Sequence, residues 1–348
     1  MRKFAVISGF LGAGKTTAMM ALTKRSGGRT AMISNDLGEG VDLADDRLAR
    51  LSGCAASQIE GECICFCHDR LRERLEACYT AGCELVVSDI PGFGVGALEH
   101  VYRGLAAESP DFCELAPFTV LIEPHKVELL RSEGGAMRAI VDAQLLEADL
   151  IVLNKIDTIS PTLAEEQRRF LAARYPEAAV IAVSARTGEG MDALASALRE
   201  GSASLRLPEI DDEEGLEREM DALSEYYYQY RALVCCFDFD GSAYLADLAS
   251  RVRGDFRDRG LVIPHLKALA WGPEGDFGKV DLIGTDREIE LTRPFERPCT
   301  ELAVILNASA SCPAEELDTL ITTAAREISA AYGLELTDYK KECFCLGD

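Results

Sequence analysis

Short apolar runs bounded by glycine, proline or polar clusters recur six times in the first part of the chain, and stretches of helical spacing separate them. The runs cover residues 4–8, 29–34, 84–89, 118–123, 149–154 and 179–184. Strands alternating with helices predict an α/β unit over residues 1–200, a mostly parallel sheet covered by helices on both faces. Such a sheet places its ligand at the carboxyl ends of its strands. Asp36, Asp89 and Asn154 fall at or just beyond three of those ends.

The pattern changes at residues 201–215, GSASLRLPEIDDEEG, where small, proline and acidic residues predict a linker. Residues 216–230 read as a helix ending in Tyr226, Tyr227, Tyr228 and Tyr230, an aromatic run suited to packing between domains. From residue 231 the expected order is strand (232–239), helix (242–253), strands (261–271, 279–283, 301–306) and helix (313–332). That order predicts a smaller C-terminal α+β domain over 231–335, followed by a cysteine-containing tail at 336–348. No internal repeat or long low-complexity tract is visible.

The first run leads into chemistry. Residues 3–22, KFAVISGFLGAGKTTAMMAL, join an apolar strand to a helix through Gly9-Phe-Leu-Gly12-Ala13-Gly14-Lys15-Thr16-Thr17. This is the spacing and setting of a phosphate-binding P-loop. Glycines let successive N–H groups face phosphate oxygens, and the helix beginning near Lys15 adds the positive end of its dipole. Lys15 would reach the β- and γ-phosphates, and the Thr16 hydroxyl would ligate Mg²⁺. A glycine-rich turn that binds nothing would not need Gly, Gly, Lys and Thr all at these positions.

Composition narrows the partners. The formal net charge of −23 repels phosphate backbones and anionic membrane surfaces, so neither nucleic acid nor membrane is expected as a partner. Apolar runs such as 118–122 and 150–153 are far shorter than a membrane span. Thirteen cysteines without a signal-peptide pattern predict reduced thiols in a cytoplasmic protein.

Two further segments extend the nucleotide reading. In residues 84–92, ELVVSDIPG, Asp89 would hold Mg²⁺ or place the attacking water, and the Gly92 N–H would sense the γ-phosphate. Asp89 and Lys15 are thus the expected catalytic groups. In residues 149–157, DLIVLNKID, Asp157 can accept both the ring N–H and the amino group of guanine, a pair adenine lacks. Asn154 would brace the loop, Lys155 would lie along the base, and Ser184-Ala185 could add a backbone donor. GTP is the preferred nucleotide.

Residues 61–68, GECICFCH, carry Cys63, Cys65 and Cys67 at alternate positions beside His68. In an extended chain alternate thiols would sit ~6–7 Å apart, too wide for one tetrahedral ion, so the backbone must bend. If a helix begins here, Cys63 and Cys67 stack while Cys65 points elsewhere. A place near that helix N-terminus would depress the thiol pKa values. Thiolates suit Zn²⁺, Co²⁺, Ni²⁺ or Cu⁺, with Cys54 or His68 as a fourth ligand. The alternative is three small buried residues. Cys343 and Cys345 could capture or transfer a soft ion or be incidental. Cys78, Cys83, Cys235 and Cys236 read as packing, and His100, His125 and His265 as ordinary histidines.

The P-loop wording, the segment Asn35-Asp36-Leu-Gly38-Glu39-Gly-Val-Asp42, the cysteine cluster and Asn154-Lys-Ile-Asp157 together resemble the CobW-like metallochaperone GTPases. These are relatives of the urease and hydrogenase nickel-insertion GTPases. The resemblance covers roughly the first 200 residues, and the second domain only in size and element order. It implies that Asp36 and Glu39 touch Mg²⁺ or switch with nucleotide state. Where the family usually has Glu, this chain has Asp89, and the family's adjacent-cysteine motif appears as Cys63-x-Cys65-x-Cys67. Those departures fit a subfamily with another client, such as a corrinoid- or cofactor-dependent enzyme. The implied function is a GTP-driven cycle that delivers a soft metal (Zn²⁺, Co²⁺ or Ni²⁺) to a client metalloprotein, with slow turnover in isolation and a homodimer as the default assembly. Rival readings are a GTP-dependent regulatory module with structural cysteines, and a metal store whose P-loop is a relic.

Overall fold

The computed structural model describes residues 2–38, 44–108, 111–132, 137–233 and 237–347. It divides into two compact units, residues 1–37 with 49–219, and residues 38–48 with 220–348.

The first unit is built on strands β1 (Lys3–Ser8), β2 (Thr30–Asn35), β3 (Ala56–Ile59), β4 (Leu85–Asp89), β5 (Glu114–Leu115), β6 (Thr119–Ile122), β7 (Leu150–Leu153) and β8 (Ala179–Ala182). Their order is β3-β2-β4-β1-β6-β7-β8, every pairing is parallel, and β5 pairs with β1. All six predicted strands are present, with ends shifted by one or two residues. β3 and β5 carried no apolar run long enough to predict them. β1, β2, β4, β6 and β7 are buried along their whole length, as strands covered on both faces must be. β1 lies between β4 and β6, so the chain crosses the sheet in opposite directions on its two sides. The loop after β1 therefore opens at the topological switch point.

The second unit is a six-stranded antiparallel sheet. It comprises β9 (Ser224–Leu233), β10 (His265–Trp271), β11 (Phe277–Leu282), β12 (Glu290–Arg293), β13 (Glu301–Ala310) and β14 (Glu335–Cys345), in the order β12-β11-β10-β13-β9-β14. Helices Gly241–Arg259 and Ala314–Ala331 pack on one face. Three expectations are corrected here. The helix assigned to 216–230 stops at Asp221, and the tyrosines belong to strand β9. The strand placed at 232–239 is this same β9, displaced towards the N-terminus; beyond it, Phe239 forms only an isolated bridge with Cys299. The expected tail is strand β14, paired with β9 from Glu335↔Leu233 to Cys345↔Ser224.

The physical reason is aromatic alternation. Tyr226, Tyr228 and Tyr230 line the helix-covered face of β9, and the intervening Tyr227 packs against Phe344 on the other. Their hydroxyls find partners within the core: Tyr230 with Tyr244 at 2.9 Å, Tyr244 with Ser329 at 2.9 Å, and Tyr226 with Thr322 at 2.9 Å. The stretch 38–48 contributes to this unit too. Asp45 accepts a 2.5 Å hydrogen bond from Lys267, and Arg47 lies 4.4 Å from the centre of the Trp271 ring. Glu39, Cys235 and Cys236 lie outside the described residues. Among those described, no helix is long and apolar enough to cross a membrane.

Candidate functional site

The loop after β1 has the backbone that its glycines predict. Gly9, Gly12 and Gly14 all have positive φ, at 132°, 80° and 92°. Gly9 cannot be replaced without rearrangement, because a Cβ there would stand 2.2 Å from the Leu121 carbonyl oxygen of β6. Gly14 caps the helix Lys15–Arg25 and brings no side-chain acceptor, which leaves the first N–H groups of the helix to meet an anion. The Lys15 ammonium donates to the Gly9 carbonyl at 2.7 Å, folded across the loop that would hold phosphate. Thr16 and Thr17 follow on the first turn of the helix.

Asn154, just after β7, ties this loop to the segment that follows β8. Its Nδ2 donates to the Ala13 carbonyl at 2.8 Å, and its Oδ1 accepts from the Ala185 N–H at 3.0 Å. Lys155 takes a left-handed conformation with φ 62°, and its ammonium reaches Glu123 Oε2 at 3.3 Å. The Asp157 carboxylate accepts from Ser184 Oγ at 2.6 Å and from Arg186. Burial pushes the Asp157 carboxyl up, yet these two donors hold it below its ordinary value. Arg186 is 69% exposed, so its ion pair with Asp157 is worth at most ~1 kcal/mol.

At the neighbouring strand ends, Asp89 closes β4 and Asn35 closes β2. Asp89 is buried, and its Oδ1 accepts from the Asn35 N–H at 2.8 Å. Beyond it, Gly92 packs so tightly on the phosphate loop that a Cβ would stand 2.5 Å from Leu11 Cδ2. The buried Gln144 donates to the Gly92 and Gly94 carbonyls at 3.1 and 3.0 Å, and Glu147 accepts from the Gly96 N–H at 2.9 Å. Burial pushes the Glu147 carboxyl up to about 8. Thr16, Asp36 and Asp89 supply hydroxyl and carboxylate oxygens, hard donors that fit Mg²⁺.

The cysteine loop follows β3. A turn closed by Phe66 N–H to the Cys63 carbonyl at 2.9 Å bends the chain and brings Cys63 Sγ and Cys65 Sγ to 2.8 Å. The bend that the spacing demands is present, but Cys63 and Cys67 do not stack on one helix: helix His68–Thr80 begins only after Cys67, which caps it. The Cys67 thiol faces the Cys63 carbonyl at 3.4 Å. Its pKa is not depressed: burial, with the nearby Glu62 carboxylate, pushes the thiol up to about 11. The contact between the two thiols pulls Cys63 down and pushes Cys65 up. Cys63 lies within electrostatic reach of Asp36 and Asp89. His68 spends both ring nitrogens elsewhere, on Glu108 Oε1 at 3.2 Å and the His100 carbonyl at 2.7 Å. Among the described residues, no group of three or more His, Cys, Asp or Glu side chains is placed to hold a metal ion.

Motif reading left Glu123, Gln144, Glu147 and Arg186 without a role. Only Arg186 carried a sequence signal, its place two residues after Ser184; the others arrive through the tertiary fold.

The family model described as the CobW/HypB/UreG nucleotide-binding domain matches residues 3–182, over half of the chain. No curated protein matches the sequence significantly. The Zn(II)-bound YjiA GTPase from E. coli is similar at 16% identity and a TM-score of 0.40, covering 95% of this chain and 98% of its own. HypB from Archaeoglobus fulgidus is 20% identical with a TM-score of 0.37, covering 56% and 88%. HypB from Helicobacter pylori in complex with nickel is 15% identical with a TM-score of 0.40, covering 56% and 83%. With its phosphate loop at the switch point of a parallel sheet and the family match spanning that sheet, this chain belongs to the CobW/HypB/UreG family.

Proposed function

We propose that this protein binds and hydrolyses GTP with Mg²⁺ and uses the cycle to hold and release a soft transition metal, zinc, cobalt or nickel, for a client protein. The observation that carries the reading is the thiol pair Cys63–Cys65 at 2.8 Å, within electrostatic reach of Asp36 and Asp89 in the unit that carries the phosphate loop. Guanine selectivity follows from Asp157, which rejects bases lacking paired donors because its carboxylate would be left unsatisfied. Lys15 and the helix N-terminus stabilise phosphate charge, and Asp89 with the Gly92 loop positions the attacking water. Positioning of this kind suffices for slow phosphoryl transfer, and a partner can complete the site. Mg²⁺, held by Thr16, Asp36 and Asp89, would neutralise charge on the β- and γ-phosphates. Cys63 and Cys65 would supply two thiolate ligands, the remainder coming from Cys67 or from the client.

The test is elemental analysis after purification without chelator, with and without GTP, alongside GTP turnover of wild type, Lys15→Ala and Cys65→Ala. Stoichiometric metal that Cys65→Ala loses supports the reading; metal affinity unchanged in Cys65→Ala removes that residue from the ligand set. A second reading, a GTP-dependent module that remodels an enzyme while its cysteines are structural, is favoured by Cys67, whose buried thiol faces the Cys63 carbonyl. It expects GTP binding without stoichiometric metal.

A further inference from the structure

Asn35 touches both halves of the site. It is the last residue of β2 and is 4% exposed. Its backbone N–H donates to Asp89 Oδ1 at 2.8 Å. Its side-chain Nδ2 donates to the Ile59 carbonyl at 3.1 Å and the Glu62 carbonyl at 2.9 Å, while Oδ1 accepts from the Ile64 N–H at 2.9 Å. Ile59 ends β3, and Glu62 and Ile64 flank Cys63. One residue thus carries the carboxylate expected to face nucleotide on its main chain and the first turn of the cysteine loop on its side chain.

A brace used only to hold the loop could come from any nearby polar group. Here both polar atoms of the amide are spent on the loop, and the same residue's N–H is spent on Asp89. Breaking any of these bonds strands a buried donor or acceptor, so the two ends move together. We propose that Asn35 is the positioning residue that couples the nucleotide site to the thiol pair: a shift of Asp89 on nucleotide binding moves Asn35, and its amide carries Glu62 and Ile64, and so Cys63, with it. The inference rests on the reading of Asp89 as a nucleotide-facing carboxylate and does not require that the thiols hold metal.

The experiment uses the full-length protein. Alkylation of Cys63 and Cys65 by iodoacetamide is timed by peptide mass spectrometry, with and without a non-hydrolysable GTP analogue and Mg²⁺. In wild type the nucleotide is expected to change the labelling rate about fivefold or more, the lower end of ordinary coupling between sites. In Asn35→Ala the ratio falls to within about twofold of unity. Asn35→Asp has the same shape and still accepts from Ile64, but it cannot donate to Ile59 or Glu62; it too loses the ratio. Binding of a fluorescent GTP analogue by each variant shows that its nucleotide unit is folded. A nucleotide response as large in both variants as in wild type, or no response in wild type, overturns the proposal. Cobalt(II) titration read by thiolate-to-cobalt absorption separates the two levels. A labelling response that depends on Asn35 with no cobalt band in wild type keeps the coupling and removes the metal reading; a cobalt band with a labelling response indifferent to Asn35 does the reverse.

Discussion

The two units spend their buried polar groups differently. In the first, polar side chains gather at one edge of a parallel sheet and hold loops: Asn154 on the phosphate loop, Gln144 on the Gly92 loop, Asn35 on the cysteine loop. In the second, the buried hydroxyls of Tyr226, Tyr230 and Tyr244 are matched inside the core. Their buried titratable groups contrast too. Glu147 is pushed up to about 8 and His265 down to about 3, each chiefly by burial, so both are neutral in the fold near pH 7. One unit uses these groups to hold loops, while the other uses them to fix strand to helix inside a single core.

The largest effect should come from breaking the second unit. Tyr230→Ala removes a fully buried ring and is expected to cost ~3–5 kcal/mol of stability, read by urea denaturation. Tyr230→Phe should cost far less, since it gives up only the hydroxyl contact with Tyr244.

Lys15→Ala should leave stability nearly unchanged and weaken GTP binding by about 100-fold, taking ~2–3 kcal/mol for a charge-assisted hydrogen bond. Calorimetric titration with GTP checks it, and an affinity within threefold of wild type would remove Lys15 from the phosphate site.

The pH dependence should have opposite signs in the two units. Between pH 6 and 7 folded Glu147 keeps a proton that the unfolded chain has lost, so stability falls as pH rises, by at most ~1.4 kcal/mol per pH unit. Glu147→Gln should flatten that limb. Between pH 4 and 5 unfolded His265 is protonated and folded His265 is neutral, so stability rises with pH by a similar amount, and His265→Gln should flatten this limb instead. Denaturation series across pH 4–8 read both slopes.

The smallest effect concerns Arg186. Removing this exposed partner of Asp157 should change stability by less than ~1 kcal/mol. Guanine affinity in Arg186→Ala should rise slightly or hold, because the carboxylate no longer has to shed an ion pair. A tenfold loss would instead make Arg186 part of the base site.

Much of the first unit was legible along the chain because its information is local. A parallel strand buried on both faces is a run of apolar residues, and the phosphate loop needs its glycines, lysine and threonine at fixed spacing. The tyrosine strand is hidden in the sequence because Tyr226, Tyr227 and Tyr228 are consecutive and buried on opposite faces, which masks the alternation that marks a strand. β14 was read as a tail because a mostly polar edge strand is recognisable only beside the strand it pairs with.

What the sequence determined by itself was the parallel sheet and the glycine-rich loop that joins its first strand to a helix, since each depends on neighbours a few residues apart. What the tertiary structure decided was the thiol geometry and the bracing by Asn35, Gln144 and Glu147. Cys63 and Cys65 meet because a turn closes between Cys63 and Phe66, and Asn35 reaches Asp89 because β2 and β4 run side by side, 54 positions apart in the chain. Hydrogen bonds between such distant residues form only after the sheet has set its register, and no spacing along the chain records them.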